Sequence, residues 1–223
     1  MKGKWIVTVF GLAVALMLSA LFLVFVFVPD MKGMQGVDDR IFYLMVPMGW
    51  LALFSFGIVF VSSIVFLKTR KTMWDGIAYC AAELGIVTTS LAMMVGMIWA
   101  RPEWGVWWAW DNARLTTTMV LWLIYVAYFM ARSFAPDEAR GQRFAAVVGI
   151  VGFVDVPLVA LATTIWNNPN HPPLLVGTLP PSMALALMLS IFAYTALYIV
   201  LLTQRTSLRN MELELRSLKD SEA

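Results

Sequence analysis

The chain contains only one cysteine, Cys80, and only one histidine, His171, among its 223 residues. Structural zinc sites and iron–sulfur clusters are held by several such ligands, so the sequence excludes both. It also excludes the pair of histidines that forms an ordinary b-type cytochrome site. We interpret Cys80 as a small packing residue inside a membrane helix, distant from His171 in an outer loop, so that no nucleophilic dyad is available.

Charged residues are also scarce, at 13%, whereas 61% of residues are hydrophobic and the mean hydropathy is +0.77. Runs of about 20 apolar residues are long enough to cross a bilayer as helices. Six such runs are present: residues 5–28, 41–67, 74–99, 115–131, 144–165 and 183–202. The composition therefore predicts an all-α integral membrane protein, a bundle of six transmembrane helices, in which the first run remains as an anchor.

The basic residues predict the orientation of this bundle. Twelve of the sixteen Lys and Arg residues fall on the side of the two termini, and the four others are Lys32, Arg40, Arg101 and Arg114. Basic residues favour the cytoplasmic side. We therefore expect cytoplasmic termini in the inner membrane of a prokaryote, with a six-helix domain at residues 1–205 and a cytoplasmic tail at 206–223. The net charge of +2 carries no nucleic-acid signature.

A tryptophan-rich stretch separates the third and fourth apolar runs. Residues 104–111 read Trp-Gly-Val-Trp-Trp-Ala-Trp-Asp and, with Trp99, hold half of the ten tryptophans. An aromatic belt at the membrane surface is the alternative, but a belt spreads its indoles over many helix ends. A compact tryptophan sheet on the outer face suits a large, flat, apolar ligand, and a porphyrin is the obvious candidate.

The last outer loop carries His171, which is followed by Pro172 and Pro173 and preceded by Pro169. Prolines restrict the backbone and hold an imidazole in place, which favours a ligand over a surface histidine when the tryptophans share the same face.

These residues resemble the "WWD" signature of haem-handling membrane proteins, and most closely the cytochrome c maturation protein C family (CcmC, haem exporter protein C). The tryptophan stretch is followed by Ala113-Arg114-Leu115-Thr116, and the segments 40–47 and 155–157 also resemble that family. The resemblance covers roughly residues 1–205. It implies a carrier with no catalytic residues, which binds haem b as cargo, with iron as its only metal.

Residue by residue, the resemblance implies that His171 is an axial haem ligand. At the position of the family's other histidine this chain has Met45, and Asn112 is inserted after the Trp-Asp element. Met45 is either the second axial ligand or a packing residue. The platform for haem, or for the docking partner, would comprise Trp104, Trp107, Trp108, Trp110 and Asp111.

Arg40 and Arg114 are expected to contact the haem propionates or its edge, although basic side chains at helix ends also snorkel to the interface. Asp111 or Asn112 alternatively caps the fourth helix. The partners implied are the lipid bilayer, a periplasmic haem chaperone of the CcmE type, ABC-type subunits and a small membrane subunit. The alternative functions are a WWD-type cytochrome c synthetase subunit and a proton-coupled transporter that uses Glu83 and Asp155, both of which lie within apolar runs.

Overall fold

A computed structural model describes residues 2–28, 38–166 and 179–222. These residues form seven helices: α1 (Lys2–Phe22), α2 (Asp38–Thr69), α3 (Thr72–Trp104), α4 (Ala113–Ser133), α5 (Glu138–Gly152), α6 (Asp155–Ile165) and α7 (Pro181–Glu222). A π-helical turn, Leu23–Phe27, extends α1, and α5 and α6 together make one span. Six spans are long and apolar enough to cross a membrane. The prediction of an all-α bundle of six membrane helices is confirmed.

The bundle has two distinct ends. At the tryptophan end, defined as the end where α3 stops and α4 begins, an apolar cluster joins Val24 after α1, Tyr43 of α2 and Leu187 of α7. At the opposite end, defined as the end where α2 stops and α3 begins, only Arg70 and Lys71 separate the two helices. This short connection makes α2 and α3 antiparallel neighbours.

The centre of the bundle is closed by aromatic rings over small residues. Phe56 of α2 and Tyr125 of α4 are both fully buried and stack with ring centroids 3.6 Å apart. Gly85 of α3 lies against Phe56, where an added Cβ would approach Phe56 Cε1 to 2.5 Å. The absence of a side chain at Gly85 therefore lets α2 and α3 approach closely.

The fifth span, predicted as one helix over residues 144–165, is interrupted at Phe153 and Val154. Pro157 explains the position of the break. A proline ring clashes with the carbonyl group four residues earlier, which here belongs to Phe153, and proline has no N–H to donate. The span consequently consists of α5 and α6.

The last helix is much longer than the predicted span 183–202, because α7 continues to Glu222. Residues 182–222 contain neither glycine nor proline, so nothing in the backbone stops the helix. At 1.5 Å per residue its 42 residues extend about 63 Å, roughly twice the thickness of a bilayer core. Residues 206–222 of the expected tail thus continue α7.

Candidate functional site

The tryptophan stretch begins on a helix, and only its later residues form a turn. α3 continues past Trp99, its predicted end, through Trp104. It stops at Gly105, whose φ of 73° lies in the left-handed region that glycine adopts without strain. The Gly105 N–H donates to the Arg101 carbonyl at 3.1 Å, and the Arg101 guanidinium donates to the Gly105 carbonyl. Trp104 is therefore held on a helix, and only Trp107, Trp108 and Trp110 belong to the turn.

The indoles meet edge to face. Trp99 and Trp104 lie with ring centroids 5.2 Å apart at 82°, and Trp108 and Trp110 lie 5.9 Å apart at 62°. The rings of each pair are therefore not coplanar, and the quadrupoles of aromatic rings explain the steep angles. Trp107 and Trp110 are 59% and 69% exposed, whereas Trp104 and Trp108 are half-buried. Two indoles thus remain available to a ligand or partner.

Asn112 fixes the turn to α4. It is fully buried, and its Oδ1 accepts hydrogen bonds from the backbone N–H groups of Arg114 at 3.2 Å and Leu115 at 3.4 Å. The sequence allows either Asp111 or Asn112 to cap α4, and the structure shows that Asn112 is the cap. Asp111 is exposed and makes no hydrogen bond or ion pair with the described residues. Its carboxylate is available next to the exposed Trp110.

Met45 lies two turns into α2 and is half-buried. Its Sδ packs against α3 at Gly96, 3.7 Å from the position that a Cβ would take there. Gly96 precedes Trp104 by eight residues, so the thioether lies at a level about 12 Å below Trp104 along α3. Met45 therefore lies deeper in the bundle than the exposed indoles do.

The two arginines expected near a ligand lie at helix starts. The Arg40 guanidinium lies over the Phe25 ring, 5.3 Å from its centroid, and so bridges α2 and the end of the first span. Arg114 is in the first turn of α4 and is half-buried. Its guanidinium makes no hydrogen bond or ion pair with the residues that the structure describes. Such a cation is suited to an anionic group supplied from outside the chain.

His171 lies outside the described residues, within 167–178. The described chain enters this segment at Trp166, which is 52% exposed after α6 and whose N–H donates to the Ala162 carbonyl at 3.0 Å. It resumes at Leu179, which packs on the apolar cluster of Tyr43 and Leu187 at the tryptophan end.

The two membrane-embedded acids have different surroundings. Glu83 of α3 accepts hydrogen bonds from Arg205 Nε at 2.8 Å and from Arg205 Nη2 at 3.1 Å. Asp155 begins α6 at the break in the fifth span, and its Oδ2 is buried without a hydrogen-bond partner among the described residues. No hydrogen bond between described residues joins the two acids, which gives no support to a shared proton path.

Sequence reasoning missed the polar contacts at the opposite end. The Arg132 guanidinium of α4 binds both oxygens of Asp75 of α3, at 2.6 and 2.7 Å. On α7, the guanidinium carbon of Arg209 lies 3.6 Å from the centroid of the Tyr79 ring. Neither pair is visible in the sequence, because its members are separated by 57 and 130 positions.

Comparison with known proteins gives a consistent result. A model of the family "Heme exporter protein C" matches residues 1–221. The heme exporter protein C of Bradyrhizobium diazoefficiens is 33% identical over 198 residues, which is 87% of this chain and 72% of that protein. The Escherichia coli K12 protein of the same name is 31% identical, covering 79% of this chain and 71% of its own length. A putative ccmC-like mitochondrial cytochrome c biosynthesis protein of Marchantia polymorpha is 28% identical over 75% and 70% of the two chains.

Proposed function

Because this chain belongs to the heme exporter protein C family and thereby has a role in c-type cytochrome biogenesis, we propose that it binds haem b at its tryptophan end. It presents this haem on the outer face of the inner membrane and transfers it to a periplasmic haem chaperone. The protein acts as a carrier of haem, and the chemistry of attachment belongs to haem and to the partner.

The exposed indoles carry this proposal. Trp107 and Trp110 expose most of their surface on a turn that Gly105 and Asn112 hold at both ends. Large aromatic groups that are exposed on a fixed backbone are typical of binding surfaces. Their edge-to-face arrangement supports contact with a ligand edge and with a partner protein more than stacking under a whole porphyrin.

The charged residues support a ligand with carboxylates. Arg114 is half-buried without a counter-charge among the described residues, and Arg40 begins α2 at the same end of the bundle. The propionates of haem are anions that such guanidinium groups bind in a bidentate manner. The exposed carboxylate of Asp111 is placed to bind a donor on the incoming chaperone.

Two side chains are proposed as axial ligands, His171 from the last outer loop and Met45 from α2. A thioether with an imidazole is an established ligand pair for haem iron. The Met45 sulfur packs against Gly96 of α3, so ligation of iron requires its flexible side chain to rotate away from Gly96. We propose His171 as the primary ligand and Met45 as the second.

The remaining components are proposed from the family. The outward orientation is proposed from the distribution of Lys and Arg, which favours cytoplasmic termini. An ABC-type transporter and a small membrane subunit are the expected neighbours within the bilayer. A synthetase role is disfavoured by the Ala113-Arg114-Leu115-Thr116 continuation of the motif.

We predict that haem binding depends on His171. The purified protein should show a Soret band, and His171→Ala should reduce haem content at least tenfold, because it removes the only imidazole of the chain. The measurement is the pyridine haemochrome yield per mole of protein, compared with that of Cys80→Ala. A fully occupied haem spectrum in His171→Ala would eliminate His171 as a ligand. A wild-type protein that never binds haem would refute the proposed function as a whole.

We also predict that Trp107→Ala and Trp110→Ala weaken haem retention or chaperone docking by about tenfold, because each removes an exposed ring. The thermal unfolding midpoint should stay within a few degrees, since neither ring is in the core. The control is Trp50→Phe: Trp50 is also exposed, but it lies within α2, where its Nε1 donates to Thr195 Oγ1 at 3.2 Å. Equal loss of membrane-inserted protein in all three variants would indicate structural tryptophans instead.

A further inference from the structure

A cleft lies at the opposite end of the bundle, between α4 and α7, with α3 as its floor. A cavity of about 850 Å³ occupies this end, and a second cavity of about 640 Å³ continues along α3 and α7 toward the middle of the bundle. Tyr79, Ile86, Phe129 and Arg205 line both. The deeper part is bordered by Val87 and Leu201, which are 53% and 44% exposed and so face the acyl chains. The cleft is polar at the surface and apolar inside the membrane.

Two of the arginines at its polar end form no ion pair with the residues that the structure describes. Arg132 and Arg205 are engaged by Asp75 and Glu83. Arg209 instead packs on Tyr79, and its Nε is buried without a hydrogen-bond partner among the described residues. Arg216, two turns further along α7 and more exposed, makes no ion pair with the described residues either. Charge-assisted hydrogen bonds from such guanidinium groups are the usual means of binding a phosphate.

Acidic groups share the same rim. Glu138 accepts a hydrogen bond from Gln142 Nε2 at 3.3 Å, and Glu212 lies 3.7 Å from Arg205 Nη1. These carboxylates repel a ligand that is only anionic and bind one that also carries an N–H cation. The charges therefore fit a zwitterion: a phosphate near Arg209 and Arg216, and an ammonium group near Glu138 and Glu212.

We propose that this cleft is a specific site for a phospholipid whose headgroup joins a phosphate to a primary ammonium group, namely phosphatidylethanolamine. Basic pockets between helices at a membrane surface bind lipid headgroups, and the apolar walls formed by Ile86, Val87 and Leu201 receive an acyl chain. The bound lipid fills the cleft and contacts α3, α4 and α7.

The test uses the full-length protein in detergent, with phosphatidylethanolamine, phosphatidylglycerol or phosphatidylcholine added at equal concentration. Native mass spectrometry counts the lipids retained, and thermal unfolding reports stabilisation. We expect phosphatidylethanolamine to be retained at least tenfold more tightly than the other two, because phosphatidylglycerol lacks the ammonium group and phosphatidylcholine lacks its N–H donors.

Glu138→Gln, which removes a carboxylate assigned to the ammonium group, should reduce this preference about tenfold, the loss of one charge-assisted contact of about 1.4 kcal/mol. Arg209→Gln should instead reduce the retention of phosphatidylethanolamine itself about tenfold, because the phosphate that it contacts is common to all three lipids. Arg216→Gln, which leaves the Tyr79 contact intact, should also reduce this retention, with an unchanged fold. Arg143→Gln, an exposed arginine at the same end that does not line the cleft, is the matched control and should change nothing.

Equal retention of the three lipids, or a preference for phosphatidylglycerol, would overturn the proposal. Protection by free phosphoethanolamine alone would show a site for a soluble phosphate compound, and displacement of the lipid by haem would assign the cleft to haem. Both of these results also refute the lipid site, and neither depends on haem binding at the tryptophan end.

Discussion

At the scale of single residues, the ion pair between Asp75 and Arg132 is the most buried one between described helices. The two side chains are 5% and 13% exposed and join α3 to α4 through two hydrogen bonds. A buried pair adds little net stability over an apolar pair of the same size, but one partner left alone is very costly. The main effect of this ion pair is therefore to fix the register in which α3 and α4 pack.

We predict that Arg132→Ala lowers the free energy of unfolding by about 3–5 kcal/mol, because it leaves the Asp75 carboxylate buried without a partner. The measurement is chemical unfolding in detergent micelles. The combined Asp75→Asn and Arg132→Met variant should recover part of this loss. Arg140→Gln is the control: Arg140 forms the exposed pair with Asp137, at 3.1 Å, and should cost at most about 1 kcal/mol. A double variant less stable than Arg132→Ala would contradict this account.

Met45 is the residue at which this chain departs from the pattern of its relatives. If it is the second axial ligand, the oxidised haem complex should show weak near-infrared absorption from sulfur-to-iron charge transfer, and Met45→Ala should abolish it. Met45→His should give a bis-imidazole spectrum with a lower reduction potential, since a thioether favours ferrous iron. A five-coordinate wild-type spectrum that Met45→Ala leaves unchanged would restrict Met45 to packing against Gly96.

At the scale of helices, close approach depends on small residues at particular positions. Gly85 and Gly76 both lie buried on α3, but an added Cβ would meet Phe56 at Gly85 and no atom within 4 Å at Gly76. Alanine favours a helix over glycine by about 1 kcal/mol, whereas overpacking a core costs about 1–3 kcal/mol. The two glycines therefore have opposite consequences when replaced.

We predict that Gly85→Ala destabilises the bundle by about 1–2 kcal/mol net, because Phe56 is held against Tyr125 and cannot move away. Gly76→Ala should be neutral or stabilising by up to about 1 kcal/mol. Thermal unfolding in detergent micelles compares the two variants. A double variant that combines Gly85→Ala with Phe56→Leu should recover part of the stability that Gly85→Ala loses. The same effect at both positions would show that the approach of α2 to α3 is not limited by Phe56.

At the scale of the whole molecule, the two ends carry different chemistry. At the tryptophan end, the turn between α3 and α4 exposes the indoles of Trp107 and Trp110 and the carboxylate of Asp111, whereas the opposite end has ion pairs between helices and the charged cleft. The proposed haem site and the proposed phospholipid site thus lie at opposite ends of the bundle. Variants at one end are expected to leave the other unchanged, because the length of the spans separates the two ends.

The sequence by itself determined the class of protein, the six spans and the tryptophan stretch. Long apolar runs can only become helices in lipid, since every backbone polar group must be bonded within the segment. The break beside Pro157 and the cap of α4 follow from local rules as well. The structure was needed only to show that Asn112, and not Asp111, is the cap.

Only the tertiary structure decided the pairs formed between helices. Asp75 with Arg132, Glu83 with Arg205 and Arg209 with Tyr79 each join positions more than fifty residues apart. Helical periodicity gives the face on which a residue lies but not the rotation of one helix against another, which packing sets. For the same reason the indoles were foreseen as a cluster, but their edge-to-face angles and the burial of Met45 against Gly96 depended on the packed bundle.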